Sequence, residues 1–431
     1  MRVAVIGGGA AGLAAADELI KLGHEVSLFE QGEQLGGQLR TVDILGTRIE
    51  CFYHHLFMSD TLVVDLMNEL GIGDRLQWIA SKVGFFAGGR VWDFVTPGDL
   101  LRFEPLPLVD RVRLGLVGLY LQRRPDWRRF EDYTAEEWLK RWAGERAYRV
   151  VWGPLLYGKF GSVAPEVGMA WFHWKMRLRF GSRKRIATEY LGYPIGSFAQ
   201  LWEALGERLR SRGASVHTCA PVHKLTYQDG RVSGLTTAQG DFPADRVIAT
   251  VPTPVLQKIA PELPSSYVEK LKGTRYQAVM CLLLVLKHPM SHIYWMNISD
   301  RSIPFVAFIE QTNLIGPEHY AGRRVAYTSH YISPDEPLYR APDDEVLKAY
   351  LPGLKKINPA FDQSWIEEWY LFREDAGQPV ITRNYSSKIP PLATPIPGLF
   401  MANNTQVYPE DRGQNYSIRI GREVARLAVS Q

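Results

Sequence analysis

A chain of 431 residues holds two or three domains at roughly 100–200 residues each, which excludes a disulfide-stapled miniprotein. Apolar residues make up 46% and charged residues 22%, values of ordinary globular proteins, so neither a disordered chain nor a fibrous repeat fits. Lys and Arg number 50 against 46 Asp and Glu, a net charge of +4, which is not the footprint of a nucleic-acid binder. Aromatic residues reach 12%, with 12 Trp, 20 Tyr and 18 Phe, enough to wall a large pocket. Cys51, Cys219 and Cys281 are far apart and show neither a C-x-x-C nor a metal spacing. They read as buried thiols of a reducing, cytoplasmic compartment, and no metal site is expected.

In chain order, residues 2–6 (RVAVI) read as a strand, GGGAAG as a turn, the Ala- and Leu-rich run to Leu22 as a helix stopped by Gly23, and EVSLFE as a second strand. This is a parallel βαβ unit. The opening run has the make-up of a signal peptide, but its glycine spacing argues for structure. Residues 61–189 carry Leu, Arg and Trp at helical spacing and read as a mainly helical insert. A glycine-punctuated turn at 192–197 leads into an amphipathic helix. From 215 to 252 short strands alternate with turns, with hairpins at Asp229-Gly230 and Gln239-Gly240. Ala278 to Leu286 (AVMCLLLVL) reads as a buried strand, followed by strands mixed with helices. A proline-rich crossing at 389–397, the short strand GLFMAN and a helix from about Asn415 close the chain. The longest uncharged stretch, residues 389–409, holds five prolines and cannot span a membrane as a helix.

Gly7, Gly9 and Gly12 form G-x-G-x-x-G between the first strand and the helix opened by Ala10 and Ala11. The first glycine permits a tight turn, the second lets backbone approach a pyrophosphate, and the third lets helix and strand pack closely. The amides at the helix start then face the phosphates. Glu30, 18 residues past Gly12 and followed by Gln31, ends the second strand where a carboxylate accepts bonds from a ribose. A second glycine turn follows at Gly36, Gly37, Gln38, Leu39, Arg40 and Thr41. It is placed to return to the pyrophosphate with a cation at Arg40.

The GG-x-x-R-T segment after the acidic residue resembles the flavoprotein class of amine oxidases, protoporphyrinogen oxidases and phytoene desaturases. The resemblance continues at GYPIGSFAQLWEAL, where Ser197 replaces the second glycine of the family's P-x-G-G helix start. It continues at Pro221-Val222, where the family's valine meets the adenine through its backbone. It ends at GLFMANNTQVYPEDRGQNYSIRIG, where Asn403 and Asn404 stand in place of the family's Gly-Asp. The resemblance implies noncovalent FAD, with the amides of Asn403 and Asn404 on the ribityl chain. It also implies that the helix start at Gly413, Gln414 and Asn415 faces the flavin ring. The implied fold class is α/β: a discontinuous Rossmann-like FAD-binding domain (1–60, 190–265, 386–431) with an inserted mixed α+β, helix-rich substrate domain (61–189, 266–385). No second dinucleotide fingerprint is present in the sequence.

His55-x-Phe57 resembles the H-x-F of UDP-galactopyranose mutases, in which a histidine lies over the flavin; His55 is the first candidate there and His54 the second. Tyr157 and Lys159 in WGPLLYGKFG are further catalytic candidates, the lysine to order a water near the flavin and the tyrosine to wall the pocket. Glu310, Tyr331 and Gln378 are additional candidate pocket groups. Two basic clusters, Arg123, Arg124, Arg128 and Arg129, then Lys175, Arg177, Arg179, Arg183, Lys184 and Arg185, read as solvated faces or as an anionic surface's partner. PLPLVDRVRLGLVGLYLQRR adds an apolar face suited to peripheral membrane docking. The expected activity is hydride transfer from a C–N or C–C unit of an apolar or ring-bearing small molecule to flavin. A redox-neutral enzyme acting on a nucleotide sugar and a non-catalytic FAD-fold binding protein are the alternatives. Nothing in the sequence sets the oligomeric state. Trp171, Trp174, Trp295, Trp365 and Trp369 place the aromatic surplus in the inserted parts.

Overall fold

The computed structural model describes residues 1–181, 183–184 and 188–431. The strand Arg2–Ile6 is the centre of a five-stranded parallel sheet, flanked by Glu25–Phe29 and Arg246–Ala249, with Ser215–His217 and Leu399–Met401 outermost. Val3 to Ile6 are all buried, without alternation, because helices or other strands cover both faces of the sheet. One cover is the helix Ala10–Lys21, on which the C-terminal helix Gln414–Ser430 lies. The two backbones meet so closely that a Cβ on Gly421 would stand 2.2 Å from the Ala11 carbonyl oxygen. The sheet therefore draws its strands from both ends of the chain and from its middle. The antiparallel meander Val222–Gln228, Arg231–Thr237 and Gly240–Pro243 follows the expected hairpins.

A seven-stranded sheet forms the second layer. It runs in the order Ile366–Pro379, Tyr276–Leu286, Arg324–Ile332, Ala307–Glu310, Trp295–Ile298, Val83–Ala87, Arg90–Asp93. Tyr276–Leu286 is buried on both faces. Its odd positions Val279, Cys281, Leu283 and Val285 join the core that also holds Leu39 and Phe52. The even positions Ala278, Met280, Leu282 and Leu284 face the helix Asp343–Ile357. One strand thus ties the two halves of the molecule into a continuous apolar interior.

The 61–189 segment departs from its helical expectation. Leu76–Ser81, Val83–Ala87 and Arg90–Asp93 are strands, and the last two form a hairpin on the edge of the large sheet. Gly88 and Gly89 make its turn, both at positive φ (60° and 74°), the conformation that tight hairpins need. Helices dominate only from Pro97–Arg102 through Leu108–Arg123, Ala135–Ala143, Gly153–Phe160 and Met169–Gly181. One further expectation needs correction. Cys219 is exposed rather than buried, at a left-handed turn (φ 51°), whereas Cys51 and Cys281 are buried. Ser197 keeps the left-handed φ (84°) that a glycine would adopt freely, and its hydroxyl accepts a hydrogen bond from the Ala199 N–H at 3.3 Å.

Candidate functional site: a glycine cradle opening on an apolar cavity

The first glycine turn is built around close backbone approach. A Cβ on Gly12 would stand 1.9 Å from the Gly7 carbonyl oxygen, so only glycine lets the helix start this near the strand. Gly9 is different: its φ of −77° suits any residue, and a Cβ there would meet only the Gly37 Cα, at 3.9 Å. The space beside Gly9 belongs to something other than protein packing. The second glycine turn does come back to the first, through a Gly9–Gly36 bridge and a hydrogen bond from the Gly36 N–H to the Gly8 carbonyl at 2.8 Å. Glu30 accepts hydrogen bonds from the Gly8 and Gly32 amides at 2.7 and 2.8 Å, and Gln31 beside it is exposed. The Glu30 carbonyl accepts from Ala220 N–H, which brings Val222 to the same end of the sheet. Arg40 sits 5.2 Å from the centroid of the Phe52 ring and 3.5 Å from Glu374.

At the helix start, the Asn415 carboxamide oxygen accepts from the Leu62 N–H at 2.9 Å, while the buried Gln414 carboxamide oxygen has no hydrogen-bond partner among the described residues. Asn403 differs from expectation. Its oxygen takes the Thr405 amide and hydroxyl, and its nitrogen donates to the Val251 carbonyl at 2.9 Å, so its amide is used within the loop. Asn404, half-buried, is the amide of this pair that keeps its side chain unpaired among the described residues. The glycine cradle, the orphaned Gln414 oxygen and the open flank of Gly9 together fit a dinucleotide laid from Glu30 toward Gly413.

A cavity of about 980 Å³ begins at that end, bounded by Gln38, Arg412 and Gly413. Most of its wall is aliphatic or aromatic, and its far end lies among the helices Pro97–Arg102 and Leu108–Arg123. Trp171 and Trp295 line it, whereas Trp365 and Trp369 pack beside the core under the helix Asp343–Ile357. The aromatic surplus is therefore divided between pocket and core.

His54 and His55 both line the cavity, and burial keeps both neutral. His54 is pushed down to about 4, with Nδ1 2.6 Å from the Phe52 carbonyl oxygen. His55 is held well below the usual imidazole range, by burial first and then by Arg179 and Lys175, and its Nδ1 lies 3.0 Å from the Tyr294 hydroxyl. Lys159 also reaches the cavity. Tyr157 does not: its side chain is 48% exposed and lies under the Arg301 guanidinium on the outside. Residues two apart on a helix point to different faces, so Lys159 and Tyr157 cannot both turn inward. Glu310 is buried away from the cavity, where it accepts from the Met290 and Ser291 amides at 3.2 and 2.9 Å, and burial raises its carboxyl to about 7.

The polar centre of the cavity is Asp411, which the sequence analysis did not single out. Its Oδ2 accepts from Lys159 Nζ at 3.2 Å and Lys175 Nζ at 2.5 Å; its Oδ1 accepts from Trp171 Nε1 and Gln378 Nε2, at 3.2 and 3.3 Å. Burial pushes its carboxyl up, but the two ammonium groups and Arg412 more than reverse this and hold it well below the carboxylate range. One carboxylate serves three cations, so Lys175 bears the cost of burial and falls to about 8. Arg412 donates to Gln378 at 3.1 Å, Gln38 at 2.9 Å and the Tyr331 hydroxyl at 3.3 Å. Burial alone would raise Tyr331. Lys159, Arg412 and the hydrogen bond from Tyr53 outweigh it and bring the phenol to about 8.

The basic clusters also separate. Arg123, Arg124, Arg128 and Arg129 are exposed. Lys175 and Arg179 instead face the cavity, Arg179 5.3 Å from the centroid of the Trp295 ring, and Arg177 donates to the Gln122 carbonyl at 3.0 Å. The side chains of Arg183 and Lys184 and all of Arg185 lie outside the described residues. Among the described residues, no group of three or more His, Cys, Asp or Glu side chains is placed to hold a metal ion, and no helix is long and apolar enough to cross a membrane.

Comparison with known proteins gives a match to the profile of flavin containing amine oxidoreductases over residues 10–410. A probable zeta-carotene desaturase of Synechococcus elongatus is 27% identical over 297 residues, covering 61% of this chain and 60% of its own length. A 15-cis-phytoene desaturase of Glycine max is 22% identical over 405 residues, covering 83% of this chain and 66% of the relative. The chain thus spans less than two thirds of the length of these curated relatives. Among solved structures, a putative protoporphyrinogen oxidase from Exiguobacterium sp. shares the fold with a TM-score of 0.78 at 19% identity, covering 100% of this chain and 99% of the other.

Proposed function

This chain belongs to the flavin containing amine oxidoreductase family, and on that footing we propose that it binds FAD noncovalently and oxidises a C–C or C–N unit of an apolar small molecule. The observation that carries this reading is the continuity of the glycine cradle with a large, mainly apolar cavity at Gln38, Arg412 and Gly413. Gly7, Gly9 to Gly12, Glu30, Gly37 to Arg40 and Val222 hold the dinucleotide. Asn404 and the 413–415 helix start hold its flavin end. When bound, the flavin supplies the hydride acceptor. The protein holds the substrate carbon and receives the accompanying proton. The phenolate of Tyr331 is the proton acceptor and becomes the phenol, because Lys159 and Arg412 lower its hydroxyl to about 8 on the cavity wall. The neutral rings of His54 and His55 exclude water from the same wall.

The desaturase names of the relatives support an apolar substrate, and so does the cavity lining. A nucleotide sugar would meet Lys159, Lys175 and Arg412 with its diphosphate but would leave its hydroxyls against aliphatic side chains, at a cost of about 1–3 kcal/mol for each unpaired polar group. Anaerobic mixing of the flavin-loaded protein with polyenes, amines, porphyrinogens and nucleotide sugars decides the matter. Bleaching of the flavin by an apolar compound alone is the expected outcome. Turnover of a nucleotide sugar with no net electron consumption overturns it. Tyr331→Phe keeps the flavin and slows the bleaching by about 10²–10⁴-fold, the usual worth of a general base.

The far end of the cavity supports a peripheral membrane contact. Leu101, Leu108, Val109, Val112 and Leu116 are between 48% and 78% exposed and form one apolar patch. Val112 and Leu116 also line the cavity. Arg102, Arg113, Arg123, Arg124 and Arg128, on or just beyond the same two helices, are exposed and match an anionic bilayer surface. An apolar side chain buried in lipid is worth about 1.5–3 kcal/mol. The double variant Leu108→Asp, Val109→Asp therefore lowers co-sedimentation with vesicles containing phosphatidylglycerol by at least about tenfold. Unchanged co-sedimentation refutes the contact.

A further inference from the structure

The hydrogen-bond inventory around Asp411 does not close. A carboxylate offers about four acceptor positions, and Asp411 fills them with Lys159, Lys175, Trp171 and Gln378. The donors are not exhausted. An ammonium carries three N–H bonds, and among the described residues Lys159 and Lys175 each use one, both on the same Asp411 oxygen. The charge does not close either. Lys159, Lys175 and Arg412 stand around Asp411, and the wall as a whole carries five cationic side chains (with Arg111 and Arg179) against four carboxylates (Asp60, Glu189, Glu374 and Asp411), of which Glu374 is already paired with Arg40. Of the other carboxylates on the wall, Glu374 pairs with Arg40 and Asp60 accepts from the Phe57 N–H at 2.8 Å, while Glu189 Oε1 has no hydrogen-bond partner among the described residues. Lys159 and Lys175 thus present unused N–H donors and a surplus of positive charge side by side on the cavity wall.

Resting on the reading of this cavity as the substrate site, we propose that Lys159 and Lys175 receive the carboxylate of an otherwise apolar substrate acid. The chain of the substrate fills the aliphatic and aromatic part toward the 108–123 helix. Its carboxylate accepts the N–H bonds that Asp411 leaves free. Asp411 holds the two ammonium groups side by side at one oxygen, with Lys159 also fixed 5.3 Å from the Trp171 ring centroid and 5.4 Å from that of Tyr331. The pair is thus positioned before any ligand arrives. Substrate choice within the apolar class is set here, by an ionised head group rather than by chain shape.

Binding of dodecanoate, dodecanol and dodecyl phosphate to the FAD-loaded protein tests this, read by calorimetry and by perturbation of the flavin spectrum. Dodecanoate is expected to bind at least about tenfold tighter than dodecanol, a difference of about 1.4 kcal/mol. Lys159→Met and Lys175→Met each reduce that ratio by about tenfold. Equal affinities for acid and alcohol in the unmodified protein overturn the proposal and need no variant to fold. Tighter binding of the alkyl phosphate overturns the carboxylate assignment. A lowered flavin potential in the lysine variants, with an unchanged acid-to-alcohol ratio, also overturns it and assigns the positive charge to the reduced flavin. Failure of all three probes to bind, or loss of flavin from the unmodified protein, refutes the cavity reading itself and is thereby distinguishable.

Discussion

Replacement of Asp411 by asparagine lowers the stability of the folded protein by about 3–5 kcal/mol, the usual result of removing one partner from a buried ionic cluster. The substitution keeps the shape and removes the charge. Lys159, Lys175 and Arg412 then face one another with no counter-charge among them. Urea unfolding at pH 7 measures the loss as a lower midpoint. The double variant Asp411→Asn, Lys175→Met recovers part of it, because one of the uncompensated cations is gone. A loss under 1 kcal/mol in the single variant means the cluster is solvated and contributes little. The pH dependence follows from the same charges. Asp411 is held below its ordinary value of 3.8, so its contribution is complete above about pH 4 and fades only in strong acid. Lys175 titrates near 8 in the folded protein against 10.5 ordinarily. Between those values the unfolded chain binds the extra proton, so stability rises with pH across that window, and the rise is smaller in Lys175→Met.

Gly12→Val abolishes flavin binding, and Gly9→Ala weakens it for a different reason. A side chain at Gly12 meets the Gly7 carbonyl oxygen at 1.9 Å and the Thr250 hydroxyl at 2.8 Å. The first is backbone of the central strand's turn and cannot move aside. The helix must tilt off the sheet, the phosphate-facing amides lose their aim, and the variant purifies colourless with a reduced melting temperature. At Gly9 the added methyl meets almost no protein, and the backbone is already extended. Gly9→Ala therefore keeps its melting temperature in the absence of flavin and loses affinity by about tenfold or more, because the methyl occupies ground that the pyrophosphate needs. Flavin retention by Gly12→Val, measured as bound absorbance after desalting, refutes the assignment of this turn.

The parts of the molecule that local spacing determines are legible in the sequence. Gly7, Gly9 and Gly12, the Ala-rich helix and the strand to Glu30 are one contiguous unit whose geometry is set by glycine positions and period. The hairpins at Asp229-Gly230 and Gln239-Gly240 are of the same kind. The Gly88-Gly89 hairpin carries an equally local signal, but the aromatic strands on either side of it were absorbed into a helical composition. The ionic centre was not legible. Asp411, Lys159 and Lys175 are brought together across more than 200 residues by the packing of two helices against the loop before Gly413, and no spacing encodes that. Lys159 faces the cavity and Tyr157 does not, because a helix sends near neighbours to different faces. Asn403 was read as a ligand-facing amide, although Asn at a loop start also caps backbone, which is the role it has.

The helix Leu108–Arg123 has apolar side chains on the cavity wall and on the outer surface at once. An apolar molecule that passes between them from a bilayer leaves one hydrocarbon environment for another, and the transfer yields almost no free energy. Chain length and bulk hydrophobicity then contribute little to discrimination. On the proposed membrane route, selectivity would rest on the small number of polar groups at the opposite end, and the apparent affinity of an acid would follow its mole fraction in the lipid rather than its concentration in water.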